Sequence, residues 1–226
     1  MYLLVALAQV TLYGAVGGVA AAGVIFSLAG RWDLWNVWAY AGIFVVVFSF
    51  QDLALYRKNP ELLKERFRPA APGRGQVLVG VGLVVLLLHW SVAGLDQRFH
   101  WSDLVPPAGV VAGLVIVALG HGLFAGSMLV NPYFSSQVRL QADRGQRVIS
   151  AGPYAIVRHP GYAGQLLFAV ASGVALNSLL AIMLTAIALP ILVRRTMTED
   201  RMLGDKLAGY AEYAARVRYR LIPGLW

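Results

Sequence analysis

The 226-residue chain contains no cysteine, which excludes disulfides, thiolate metal ligands and a cysteine nucleophile together. Charge is scarce as well. Only 13% of the residues are Asp, Glu, Lys or Arg, against roughly 25% in a soluble domain, too few to cover a water-exposed surface of this size. No His/Asp/Glu grouping has ligand spacing, so no metal site is expected. What is abundant is apolar: 58% of the chain is hydrophobic, and the mean hydropathy is +0.65. The composition therefore predicts an integral membrane protein. The formal net charge of +8 does not point to nucleic acid, because the basic residues fall in gaps between apolar runs, where a membrane protein meets anionic headgroups.

Four apolar runs, at about 3–29, 37–56, 76–95 and 106–130, are long enough for a ~30 Å hydrocarbon core, which needs ~20 residues. The first lacks a basic leading segment and is read as part of the mature protein. A fifth run, 161–193, is interrupted by Asn177-Ser178. Its length and that interruption predict a helical hairpin turning at Ala175-Leu176-Asn177-Ser178. The expected fold is thus all-α and polytopic: a four-span region over 1–130, then a region over 131–226 holding a polar loop, the hairpin and a helical tail.

Seventeen Lys and Arg residues lie in the gaps 57–75 and 131–160 and in the tail from Arg194, against Arg31 and Arg98 in the other two gaps. This asymmetry puts both termini and both basic gaps in the cytoplasm, as in an inner membrane of bacterial type. Trp32, Trp35, Trp38, Trp90 and Trp101 read as an interfacial belt on the opposite side. The G-x-x-x-G spacings Gly14/Gly18, Gly109/Gly113 and Gly122/Gly126 are expected to pack helices closely. Gly120-His121-Gly122-Leu123-Phe124-Ala125 loosely fits a dinucleotide fingerprint but lies inside a span, without the strand and the acidic partner that motif needs. His121 is read as an interhelical hydrogen-bonding residue beside Ser127, or as a functional group by virtue of its depth.

Polar residues collect in 131–164 and in the tail. The stretch 131–150 is expected to be amphipathic or extended, and the tail helical from about Leu192 to Arg216, with Tyr210 and Tyr213 as interfacial anchors and Tyr210 able to close a pocket. Glu199-Asp200 is an adjacent acidic pair in an arginine-rich segment, with Arg195 four residues before Glu199 as a simple charge balance. Thirteen residues at 152–164, GPYAIVRHPGYAG, place two prolines, three glycines and an Arg-His pair immediately before the hairpin.

This G-P-Y-x-x-x-R-H-P-x-Y-x-G pattern, with VNPYF before it and TEDRMLGDKLAGYAEYAARVRYRLIP after the hairpin, resembles the isoprenylcysteine carboxyl methyltransferase family, and more broadly the membrane methyltransferases that act on phospholipids. The likeness covers roughly 131–223. It implies S-adenosylmethionine bound without a Rossmann domain, in a cytoplasm-facing pocket, and a lipophilic or lipid-modified acceptor arriving from the bilayer. Carried over residue by residue, His159 and Tyr162 would contact the cofactor, with Gly152, Tyr154, Pro160 and Gly164 shaping the pocket. Glu199 would pair with its amino group, and Asp200 stands where the family has a second glutamate. Arg158 would hold a carboxylate, of cofactor or substrate, bidentately. A capping role for His159 and a packing role for Tyr162 are the structural alternatives. An anionic carboxylate acceptor is favoured because it needs no general base, while a phospholipid amine and a small thiol also stand. Sterol-type reductases, which use NADPH and carry a related RHP-like region, form the alternative activity, and a non-catalytic membrane protein a third.

Overall fold

The computed structural model describes residues 2–62, 74–102, 104–135 and 138–226. Its described residues include the α-helices α1 Tyr2–Ala29, α2 Trp35–Lys58, α3 Arg74–Phe99, α4 Pro107–Val130, α5 Pro160–Ala175, α6 Leu179–Lys206 and α7 Tyr210–Arg216, and no strand. Lys64, Arg66 and Arg68 of the basic gap lie outside the described residues.

Long apolar runs become helices because, without water, each backbone N–H and C=O must be satisfied within its own segment. Among the described residues α2, Gly80–Phe99 of α3, α4 and α6 are long and apolar enough to cross a membrane. Proline sets two of the starts: Pro107 opens α4 and Pro160 opens α5, where a missing N–H is harmless. The hairpin turns where expected, at Leu176–Ser178, with Asn177 at φ 52° and the Ser178 hydroxyl accepting from the Ala181 amide to start α6. Asp96 of α3 pins that turn by accepting from the Ser178 and Ser102 hydroxyls and, at 2.8 Å, from the Ser102 amide.

The tail differs from the expected single helix. α6 runs through Pro190 to Lys206, the chain breaks at Gly209 with φ 78°, and only then does α7 form. A positive φ is open to glycine at little cost, and it turns α7 back onto the bundle.

Packing corrects two further expectations. Trp90 is not part of the belt but is buried with Phe26, Tyr40 and Phe44 in the main core, whereas Trp32, Trp35, Trp38 and Trp101 are exposed. Gly18 and Gly113 do sit at close approaches, their notional Cβ atoms 2.7 Å from the Ala41 carbonyl oxygen and the Ala175 amide nitrogen, but the crossing beside the RHP segment uses neither glycine of the 122/126 pair, whose notional Cβ atoms meet nothing within 4 Å. It uses Gly120 of α4 against Gly164 of α5: a Cβ on Gly164 would stand 2.6 Å from the Gly120 carbonyl oxygen. That contact sets α5, and the RHP segment leading into it, against α4.

Candidate active site

Where the 131–149 loop, the start of α5, the last turns of α6 and α7 converge, they enclose a cavity of about 310 Å³. Among its described residues the loop forms no α-helix or strand, only a 3-10 turn at Ala142–Arg144. It is held by short-range bonds: Asn131 donates to the Tyr154 hydroxyl (3.0 Å), Tyr133 to the Gly145 carbonyl (2.9 Å), and Gln141 Nε2 to the Tyr133 carbonyl (2.7 Å).

Of the sequence-predicted residues, Tyr154, Arg158, His159, Tyr162 and Glu199 line this cavity, Asp200 backs it through Arg158 and His159, and Gly152, Pro160 and Gly164 are not among its lining residues. Gly152 takes φ 58° beside Val130, Pro160 starts α5, and Gly164 serves the helix crossing. His159 occupies the N-cap position of α5 but its ring does not cap; Nε2 lies 3.1 Å from Asp200 Oδ1, placed to donate. Tyr162 does more than pack. Its hydroxyl donates to Glu199 Oε2 at 2.6 Å and accepts from Arg195 Nε at 2.8 Å. Arg195 and Glu199 are therefore joined through a phenol on the facing helix.

Asp200 is the centre of the wall. It is buried and receives five donors: Arg158 Nε (2.8 Å) and Nη2 (2.9 Å), His159 Nε2, the Tyr210 hydroxyl (2.8 Å) and Arg220 Nε (2.8 Å). The Arg158 guanidinium, expected to hold a ligand carboxylate, thus grips Asp200 bidentately, and its Nη1 donates to the Val217 and Arg218 carbonyls. The tail also adds backbone bonds from the Arg158 and His159 amides to the Tyr219 and Arg220 carbonyls, both 2.9 Å. Tyr210 and Tyr213 are not interfacial anchors. Both are buried, Tyr210 lines the cavity, and Tyr213 donates to the Tyr154 carbonyl at 2.8 Å. Burial raises the pKa of Tyr154, burial and Asp200 that of Tyr210, and burial that of Tyr213 to about 12, so all three hydroxyls keep their protons at neutral pH.

A second, apolar cavity of about 600 Å³ extends between α2, α3, α5 and α6. Phe48, Gln165, Phe168 and Arg195 line both cavities. Sequence reasoning read Arg195 only as a charge balance for Glu199 and did not single out Phe48, Gln165 or Phe168, nor the loop side chains Phe134, Gln141 and Gln146. Only the repeated aromatic spacing on α2, Phe44 and Phe48, marked a shared helix face.

The sequence profile of the isoprenylcysteine carboxyl methyltransferase (ICMT) family matches residues 111–205, which run from α4 through the loop and the hairpin to the Glu199-Asp200 segment. Residues 111–205 thus resemble this family. Protein-S-isoprenylcysteine O-methyltransferase B of Arabidopsis thaliana is 28% identical over 127 residues, 55% of this chain and 60% of that protein. A Delta(14)-sterol reductase of Mus musculus is 29% identical over 163 residues, 67% of this chain but 39% of the reductase. The chain thus spans less than two thirds of the length of either relative. The structure of a eukaryotic intramembrane Ras methyltransferase, isoprenylcysteine carboxyl methyltransferase, superposes with a TM-score of 0.56 at 20% identity, over 92% of this chain and 75% of that one. At that identity the likeness shows the ICMT fold, an all-helical membrane architecture.

Proposed function

We propose that the protein is an integral membrane methyltransferase that uses S-adenosylmethionine and methylates a lipophilic acceptor, with a carboxylate oxygen as the accepting atom. The observation that carries this reading is the coincidence of the family-matched segment with the walls of the polar cavity. The residues present fit the cofactor. Glu199 offers a carboxylate to an ammonium group, aromatic side chains at Tyr133 and Phe134 offer faces to a purine, and the volume falls at the low end of the ~300–1,000 Å³ usual for ligand sites. When bound, the cofactor supplies a methyl group on a positively charged sulfur.

The chain's own residues then bind, orient and exclude water. Glu199, its charge directed by the Tyr162 hydroxyl, would hold the ammonium group, with His159 and Tyr154 on the surrounding wall. Arg158 is assigned a positioning role, supported by its bidentate grip on Asp200. The role of orienting the acceptor carboxylate is assigned instead to Arg195, supported by its place on the walls of both cavities. A carboxylate is ionised at neutral pH and needs no base, so alignment and desolvation suffice. The apolar cavity would take the acceptor's chain. In this reading 131–226 carries most of the donor site and 1–130 meets the lipid, with Phe48 and Phe124 reaching across.

The test is calorimetric titration of detergent-purified protein with S-adenosylhomocysteine and with NADPH, alongside His159→Ala and Glu199→Ala. Homocysteine-form binding in the wild type, weakened at least about tenfold in Glu199→Ala, is expected from loss of a charge-assisted contact. NADPH binding without S-adenosylhomocysteine binding would replace this reading with the reductase, and binding of neither would leave a non-catalytic membrane protein.

A further inference from the structure

His121, at mid-length of α4, is 1% exposed. Phe168 stacks on its ring with centroids 4.0 Å apart, and Phe44 and Phe48 meet it edge-on at 4.5 and 5.2 Å. Neither ring nitrogen reaches a hydrogen-bond partner among the described residues. Buried polar groups in native proteins are overwhelmingly paired, and an orphan in a water-free interior is costly. The other two buried histidines are paired: His159 with Asp200, and His89 through Nδ1, 3.1 Å from the Ala181 carbonyl, and Nε2, 2.8 Å from the Ser172 hydroxyl. The expected bond between His121 and Ser127 is not made, because the Ser127 hydroxyl donates to the Leu123 carbonyl. Packing alone does not account for an imidazole here, since a phenylalanine would fill an aromatic slot with no polar penalty.

Location supplies the reason. His121 lines the apolar cavity, and two of the rings around it, Phe48 and Phe168, line both cavities. His121 therefore flanks the junction between the polar site and the lipid-facing space. Tyr162 and Phe168 are six residues apart on α5, about 9 Å at 1.5 Å per residue. A ligand whose reacting end lies level with Tyr162 reaches His121 roughly seven bonds further along its chain.

We propose that His121 is a specificity residue that hydrogen-bonds to an oxygen or nitrogen within the chain of the bound lipid. The lipid taken is then one with a polar atom about 9 Å from its reacting end, not unbroken hydrocarbon. A neutral imidazole carries one N–H and one bare nitrogen, so a carbonyl, ether or hydroxyl would be satisfied. A site built around such a group rejects an analogue that leaves it unpaired. The inference rests on the lipophilic acceptor proposed above and not on the methyl donor.

The probes are tetradecanoic acid and its oxo derivatives with the keto group walked from carbon 5 to carbon 9. Each is titrated calorimetrically into the protein in lipid nanodiscs, with ¹⁵N-histidine spectra recorded in parallel. The expected result is a maximum near carbons 7 and 8, about tenfold tighter than the unsubstituted acid, with a matching shift of the His121 resonances. His121→Phe should flatten the profile while binding the unsubstituted acid at least as well, and His121→Gln, which keeps a donor and an acceptor, should retain part of the maximum. A flat profile in the wild type overturns the proposal, as does an unchanged maximum in His121→Phe. If His121→Phe does not fold, the wild-type profile and its spectra still decide. Loss of S-adenosylhomocysteine binding would overturn the methyltransferase reading while leaving this lipid preference standing, so the two failures are distinguishable.

Discussion

Glu199 and Asp200 are neighbours in sequence and opposites in role. Successive residues on a helix point about 100° apart, so Glu199 faces the cavity while Asp200 turns into the wall, where two guanidinium groups, an imidazole and a phenol converge on it. Breaking a buried ion pair by removing one partner is strongly destabilising because the other charge stays behind. Asp200→Asn keeps the volume but leaves Arg158, which is 8% exposed, without its counter-ion. It is expected to lower stability by about 3 kcal/mol, read as a fall in thermal midpoint in detergent. Glu199→Gln should shift the midpoint little, within about 1 kcal/mol, while weakening S-adenosylhomocysteine binding. Equal effects of the two substitutions on the midpoint would remove the division of roles. The acidic pair was legible in the sequence as part of the candidate site only through the family resemblance, and its division of labour was not. The partners of Asp200 include Tyr210 and Arg220, brought back by a glycine turn and a tail whose path no local pattern encodes.

Among the elements, the α4–α5 crossing determines where the site can be. Both glycines at that crossing face backbone: a Cβ on Gly164 would meet the Phe124 amide nitrogen at 2.8 Å as well as the Gly120 carbonyl, and a Cβ on Gly120 would meet the Phe168 amide nitrogen at 2.7 Å. Backbone atoms cannot swing aside as a side chain can, so even one methyl group must push the helices apart. Overpacking of this kind costs about 1–3 kcal/mol. Because α5 begins with His159 as its cap and carries Tyr162 in its first turn, displacing it also displaces the cavity wall. Gly164→Ala is expected to lower both the thermal midpoint and the affinity for S-adenosylhomocysteine. Gly122→Ala, which meets nothing within 4 Å, should leave both unchanged or raise stability slightly through helix propensity. A harmless Gly164→Ala would show that the crossing is not tight. The turn of the hairpin, by contrast, was readable from Asn177-Ser178, because turn and cap preferences are local, whereas the continuation of α6 to Lys206 was not. The G-x-x-x-G spacings were a partial guide: Cβ atoms on Gly18 and Gly113 would meet backbone of neighbouring helices, 2.7 Å from the Ala41 carbonyl oxygen and the Ala175 amide nitrogen, while those on Gly122 and Gly126 would meet nothing within 4 Å, because which face turns inward depends on partners far along the chain.

Over the whole molecule, charge is sorted by end. The cavity, with Arg139, Arg147, Arg158 and Arg195 on its wall, lies at the basic end of the bundle, and the exposed tryptophans Trp32, Trp35 and Trp101 lie at the other. By the positive-inside rule the basic end is expected to face the cytoplasm, and the proposed chemistry would require the same, since a charged donor made in the cytoplasm does not cross hydrocarbon unaided. Both arguments lead us to propose that orientation. The absence of cysteine makes it directly measurable, because any thiol introduced is the only one in the chain. Arg201→Cys, at an exposed position on the last turns of α6, and Trp101→Cys, 57% exposed in the native residue, place single thiols at opposite ends. A membrane-impermeant maleimide should label Cys at 101 in intact spheroplasts and Cys at 201 only in inverted vesicles. The reverse pattern would put the polar cavity on the outer face, away from any supply of S-adenosylmethionine, and the methyltransferase reading would fall with the orientation.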